Sequence, residues 1–541
     1  MKKFLSLLLT LALMLSALCL PAVATGETVP EPSLDDDGYM QIYTWDQLRE
    51  QISADPDGNF KLMNEIKVAE STVLGSLGNT SDAPIVLYTN RSLLSATMSY
   101  DGTDGTKMPS ASNVKFSGIL DGNGQTINYG NKYVTSGKTM ASMLFYTLQG
   151  SAQIKNVTLA NLNIVGSDND GRVGLVACDL GTAESAIFSN ITVTNVNFTH
   201  NGSGEVDFGG LMARYTKTYP LTIENCNVTV NASIADGKTG SVGGLFGAIT
   251  NGNISISGCT VNGILNGGTN SAGAVTGSLG ETEMLSISIT NTTVNAAVSG
   301  KNAGGFFGEV SGVATISAKT SISNTGAISG TNAGGFIGSV SNAANITVWN
   351  FENQGAVSGT NVGGLVGALT KKATFDVRET TNTGTLTGTH THARVGYIAL
   401  ADLFTVAAPT LRADGGLDFN VTIDKELLSD VTVVGGTQVG MMITLSSNIP
   451  ATGFTTVGMA ALGEPTDANS AYYMNKSAAW NTLFDLEEDQ TFKAYISNVK
   501  TENAEKEFSC VAYVTFEYNG GEYTVYSSVA TGTPSALASA T

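Results

Sequence analysis

Short alternations of apolar and polar residues run through most of the chain, and none lengthens into a helical period. "ISISGCTV" (254–261) and "SISITNTTV" (286–294) place apolar side chains at every second position, as a strand with one buried face requires. The alternation is interrupted periodically by a Gly or Ala followed by large residues. The column reads Gly174-Leu175-Val176, Gly210-Leu211-Met212, Gly244-Leu245-Phe246, Ala274-Val275-Thr276, Gly305-Phe306-Phe307, Gly335-Phe336-Ile337, Gly364-Leu365-Val366 and Gly396-Tyr397-Ile398. Its intervals are 36, 34, 30, 31, 30, 29 and 32 residues. A second column, asparagine after a short β-type segment, keeps step with it. It holds Asn156, Asn190, Asn225, Asn291, Asn324, Asn353 and Asn382, with Gly258 filling the one gap.

Two columns in step predict a solenoid, and the Thr, Ser, Val, Ile, Asn and Gly content makes its units β. A unit of about thirty residues is one coil of a parallel β-helix, so each column becomes a ladder of stacked side chains. Asparagine suits such a column because it tolerates left-handed backbone and its amide can bond to the same residue one coil away. Cys226 and Cys259, each following a column member, become neighbours, either as stacked thiols or as a disulfide. The position two after the first large residue is always Gly or Ala (Ala177, Ala213, Gly247, Gly277, Gly308, Gly338, Gly367, Ala399). Another segment must approach closely there, or the strand must bend. A bend would turn both apolar columns inward; without one, the Ile337 column is an exposed stripe.

A solenoid needs its ends covered. Thr44-Trp45-Asp46-Gln47 is a capping box, opening a helix with Trp45, Leu48 and Ile52 on one side, which serves as the N-terminal lid. After Ala413 the repeat stops. "GLDFNVTID", "QVGMMITLSS", "FKAYISNV", "FSCVAYVTFEY" and "GEYTVYSS" are alternating strands, the last pair joined by Asn519-Gly520-Gly521, and they predict an antiparallel β-sandwich. The expected organisation is a signal peptide at 1–24, a flexible acidic linker at 25–39, the capped β-helix at 40–408, the sandwich at 409–530 and a flexible tail at 531–541.

Lys2, Lys3, the apolar run from Phe4 to Leu20 and Ala22-Val23-Ala24 have the form of an export leader. The expected location is therefore extracellular or the cell surface, with no membrane insertion. Cleavage would take the formal charge from −19 to −21, which argues against nucleic-acid partners. Too few cysteines remain for a disulfide scaffold, and the three histidines (His200, His390, His392) supply no metal-binding set.

"FSGILDGNGQTI" (116–127), "MLFYTLQGSAQIKNVTLANLNIVG" (143–166) and the G-G-[LF]-[FIV]-G units resemble the GLUG-motif proteins, over roughly residues 40–400. Met143-Leu144-Phe145-Tyr146 and "AGAVTG" (272–277) depart from the motif. The resemblance implies a right-handed parallel β-helix in a secreted or surface-exposed, adhesin-like bacterial protein. It brings no catalytic residues. The C-terminal strands are similar to domains appended to other bacterial surface proteins.

Parallel β-helices also carry polysaccharide-cleaving sites, built from clustered carboxylates or a carboxylate-bound calcium. The segment between the two columns shortens from 20 residues after Asn190 to 11 after Asn353 and returns to 14 after Asn382, so longer loops should protrude near the N-terminal half. They hold Asp168, Asp170 and Arg172, then His200, Glu205 and Asp207, then Asp236 and Lys238. On consecutive coils these could form one patch for glycan or calcium. Trp349 and Phe351 offer either core packing or a sugar-stacking platform. The leading expectation is a non-catalytic adhesin-like protein binding glycan or host protein; the alternatives are a polysaccharide lyase or hydrolase, and a structural spacer.

Overall fold

A computed structural model describes residues 29–68, 85–87, 91–92, 115–136, 139–166, 171–280, 285–371, 373–398, 404–423, 438–451, 453–460, 462, 472–477, 490–518 and 521–540. The expected leader, Asp168 and Asp170 lie outside the described residues.

The chain is a parallel β-solenoid with three sheets, followed by antiparallel sheets. Sheet 1 stacks eleven strands, from Met40–Ile42 to Thr374–Arg378, and sheet 3 stacks ten, from Lys115–Phe116 to Val395–Ile398. Sheet 2 is a bent, 21-stranded ladder between them. A representative coil runs Phe246–Ile249 in sheet 3, Asn253–Ser257 in sheet 1, then Thr260–Asn266 and Ser271–Gly273 in sheet 2. Every pairing within the solenoid sheets is parallel, as with Ile254↔Ile287 and Ile256↔Ile289.

The bend is real. Both Phe336 and Ile337 are fully buried, as are Phe306 and Phe307. The corner falls at Gly335-Phe336, between the sheet 2 strand Ile328–Gly334 and the sheet 3 strand Ile337–Val340. Sheet 3 then pairs Phe307↔Ile337, Glu309↔Ser339 and Val310↔Val340, passing over Gly308 and Gly338. A strand irregular at one position reverses its side-chain alternation there. That explains the order apolar, small, variable, apolar in "FGEV", "IGSV" and "VGAL".

Two parts of the repeat alignment need correction. At the first unit the partner of Met212 is Ala177, one residue beyond Val176, and at the last unit the partner of Val366 is Val395, not Ile398. Gly396 is therefore the close-approach residue of its coil, which the expected column had assigned to Ala399. The asparagine column also divides. Left-handed backbone occurs at Asn156, Asn190, Asn225, Gly258 and Asn291, and continues through Ser321, Asn350 and Glu379. The segment lengths consequently do not fall to 11: Ser321 to Gly335 and Asn350 to Gly364 each take 14 residues, as Asn291 to Gly305 does.

Asn324, Asn353 and Asn382 belong to a different, inward ladder that continues the column of Val261 and Val294. Asn324 donates to Asn353 at 2.7 Å and Asn353 to Asn382 at 2.6 Å, while each amide also reaches a carbonyl two residues on. Removing the middle rung by Asn353→Ala should cost about 2 kcal/mol, since it deprives a buried partner of its bond. Urea titration would measure this as a lower midpoint at unchanged slope; an unshifted midpoint would refute it.

The capping box is present, and Trp45, Leu48 and Ile52 of helix Trp45–Ala54 are buried at the N-terminal end. Before that helix, in the segment expected as a linker, Asp35 pairs with Lys61 at 3.0 Å. Phe404–Val406, placed in the solenoid by the expected boundary, pairs instead with Leu417–Ile423 of the C-terminal domain. That domain has two antiparallel sheets whose inner residues (Leu417, Phe419 and Val421 facing Met441, Ile443 and Cys510) share one core. Ile423, Val514 and Val525 join the solenoid's own buried cluster, so this domain also packs against the last coil at Val395–Ile398. In place of the expected tail, Ala530–Gly532 pairs with Phe508–Cys510, and helix Pro534–Ala540 packs Leu537 on the core.

Candidate functional site

The bend at the glycine motif brings the end of sheet 2 back against sheet 3, leaving a crease along the outside of the solenoid. One column of sheet 2 faces it: Arg172, Asp207, Ser241, Ser271, Asn302, Asn332, Asn361 and His390, in continuous register. From Arg214 onward, sheet 3 supplies Ala248, Ser278, Glu309, Ser339, Ala368 and Tyr397 in register. Asp179 holds the corresponding place in the first of these coils. Each sheet 3 residue lies 7 positions after its sheet 2 counterpart, the short bend fixing the interval.

The opposed residues compensate each other. Arg172 bonds to Asp179 at 3.2 Å; in the next coil the signs reverse, and Arg214 Nε donates to Asp207 at 2.6 Å. The Asp207 side chain is only 3% exposed, and its other oxygen accepts from Ser241. Burial pushes the Asp179 carboxyl up, although Arg172, a backbone amide and Thr216 oppose that shift. Farther along, Glu309 accepts from Ser271 and Asn302, each at 3.1 Å, and from Ser341 at 3.2 Å. Asn332 then donates to Asn302 and Asn361 to Asn332, both at 2.7 Å. The ladder ends at His390, 2.8 Å from Asn361 and beside Tyr397, with ring centroids 4.9 Å apart and planes tilted by 35°. Burial lowers the pKa of both His390 and His392.

Between the Asp207–Arg214 and Asn302–Glu309 pairs, the opposed residues are small: Ser241 with Ala248, and Ser271 with Ser278. A cavity of about 270 Å³ opens there, also lined by Glu205, Thr250, Asn270 and Lys301. A shallower concavity of about 490 Å³ adjoins it, sharing Thr269 and Lys301 and bordered by Asp236, Asn266 and Ser299.

The expected single patch is therefore divided. Arg172, Glu205 and Asp207 lie on the crease. Asp236 lines the adjoining shelf, and Lys238 lends its carbonyl to Asn270 at 2.6 Å. His200 is turned inward, fully buried, with Nε2 2.8 Å from the Gly204 carbonyl. Among the described residues no cluster of three or more His, Cys, Asp or Glu is arranged to hold a metal. Trp349 has Lys319 over its ring at 4.2 Å and Arg378 at 4.4 Å, which occupies it with cations, and Phe351 is core. Cys226 and Cys259 are buried free thiols in adjacent coils. The neighbouring Cys259 thiol and burial together hold the Cys226 thiol far above its usual pKa, so it stays protonated.

No protein-family model matches the chain, and no curated protein matches it; the GLUG likeness rests on the quoted residues alone. Among solved structures, the chain is similar to one from Bacteroides ovatus described as a "putative immunoglobulin A1 protease". The identity is 15% over 69% of this chain and 87% of that one, with a TM-score of 0.28. At that score the likeness carries no argument about function.

Proposed function

We propose that this is an exported, non-catalytic surface protein of adhesin type that binds glycan in the crease of its solenoid. The observation supporting this reading is the cavity between the two filled pairs. Hydroxyl, amide and carboxylate groups converge there, already oriented by hydrogen bonds to one another, and fixed polar groups recognise a hydroxyl-rich ligand with little ordering cost. Export is inferred from the leader-like N-terminus. Catalysis is the second reading, because Glu205, Asp207 and Glu309 line the same cavity. Asp207 and Glu309, however, are each held by two or more donors.

The test is a glycan array with analysis of released sugars, using the wild type and Lys301→Ala. Lys301 is exposed, so its removal should leave folding intact. The expected result is retention without cleavage, weakened about 10-fold in the variant, a modest loss of ~1.4 kcal/mol. Released product would favour the enzyme, and silence across the array would favour a spacer.

A further inference from the structure

We propose that the crease holds a single terminal sugar ring, neutral or amino-substituted, and that the next unit of the glycan passes over Lys301 onto the shelf. This rests on the glycan-binding reading above and narrows it. Three features of the cavity carry the inference.

The first is its length. Only two successive coils have small residues on both sides of the crease, so the gap spans roughly 10 Å at ~4.8 Å per coil. Its volume of about 270 Å³ falls below the ~300–1,000 Å³ of clefts that take drug-sized ligands. One ring fits; a run of several does not.

The second is closure. The Asp207–Arg214 pair fills the crease at one end, and the hydrogen-bonded Asn302–Glu309 pair fills it at the other. A polymer cannot lie along the solenoid axis through these pairs. It must enter end-first from the open side, where the shelf shares Thr269 and Lys301 with the cavity. An internal unit of a chain, extended in both directions, has no second exit.

The third is charge. Glu205, Asp207 and Glu309 face the gap, against Arg214 and Lys301. Arg214 is committed to Asp207, and Glu205 lies 3.8 Å from the same guanidinium. The surplus is acidic, which disfavours a sugar carboxylate and suits hydroxyl or ammonium donors.

The experiment titrates the full-length protein with methyl glycosides of galactose, N-acetylglucosamine, glucosamine and glucuronic acid. It then uses oligosaccharides carrying the best of these at the terminus or only internally. The key variant is Ala248→Met, which fills the gap from its sheet 3 side. Its ladder neighbours are Arg214 and Ser278, and the same column accepts a long side chain at Glu309, so the fold should tolerate it. Ser278→Gln provides an independent filling of the adjacent coil should Ala248→Met fail to fold. A neutral or amino sugar should bind, terminal presentation should exceed internal by at least about 10-fold, and either filling variant should lose binding by a similar factor. Glycan binding that survives both fillings, or that prefers glucuronate or internal units, overturns this proposal while leaving the binding function standing. No binding to any glycan overturns both.

Discussion

Gly338→Val should be among the most damaging single substitutions in the solenoid, lowering stability by about 4 kcal/mol through overpacking against backbone that cannot move aside. A Cβ at Gly338 would sit 2.5 Å from the Gly308 carbonyl oxygen, 2.6 Å from the Ala303 amide nitrogen and 2.8 Å from the Asn302 carbonyl carbon. All three are main-chain atoms, and those contacts belong to the preceding coil. The strain would therefore cross a coil boundary, and in a solenoid each coil is stabilised mainly by its neighbours. Thermal unfolding followed by circular dichroism should show a large fall in midpoint. Amide exchange should accelerate around 297–340 more than around 145–200. Gly237→Asn is the matched control, because a Cβ there meets nothing within 4 Å and asparagine tolerates its φ of +75°. Equal melting of Gly338→Val and the control would refute the close-approach account.

The same crowding explains why the architecture was legible in the sequence and why its ends were not. From the third to the seventh unit, both apolar columns and the small residue keep one spacing, so the columns read from the sequence are the columns of the ladder. At the first unit, "GRVGLVACD" has Gly174 alone where the next unit has the pair Gly209-Gly210, and counting from it places Val176 where Ala177 belongs. At the last, "ARVGYIA" offers only Gly396, which occupies the close-approach position instead of the turn. One glycine can serve either place, and only the pairing partner decides. The asparagines deceived similarly. Asn353 matches the older column in spacing, but Asn350, three residues earlier, has the left-handed backbone, with φ of 53°. Residue type announced a ladder without saying whether it faced solvent or core.

The site was half visible. Arg172, Glu205 and Asp207 were recognisable as charged residues in a chain that carries few, yet their partners Asp179 and Arg214 lie beyond the bend, and Glu309 lies three coils farther along. The signal that could have found them is covariation within the chain. Arg172 precedes Asp179 by 7 residues, and Asp207 precedes Arg214 by the same interval with the signs exchanged. His200 misled because strand alternation places it on the inner face, alongside Ile234 in the next coil.

Arg214→Met should cost about 3 kcal/mol, within the range for removing one partner of a buried ion pair, because it leaves the Asp207 carboxylate enclosed with Ser241 as its remaining side-chain donor in the crease. Most of that cost is the stranded charge, not a lost attraction. Asp207→Asn combined with Arg214→Met should therefore recover much of the stability, giving a coupling of about 2 kcal/mol in a double-mutant cycle. Denaturant titration of the four proteins would read this directly, and additive single effects would refute it. The cycle also separates brace from binding site. If the double variant is stable and still retains glycan, the pair serves to wall the cavity. If it is stable but no longer binds, the pair contributes polar groups to the ligand itself. In either case the crease depends on Asp207 being satisfied before any ligand arrives, since a carboxylate 3% exposed has almost no water to fall back on.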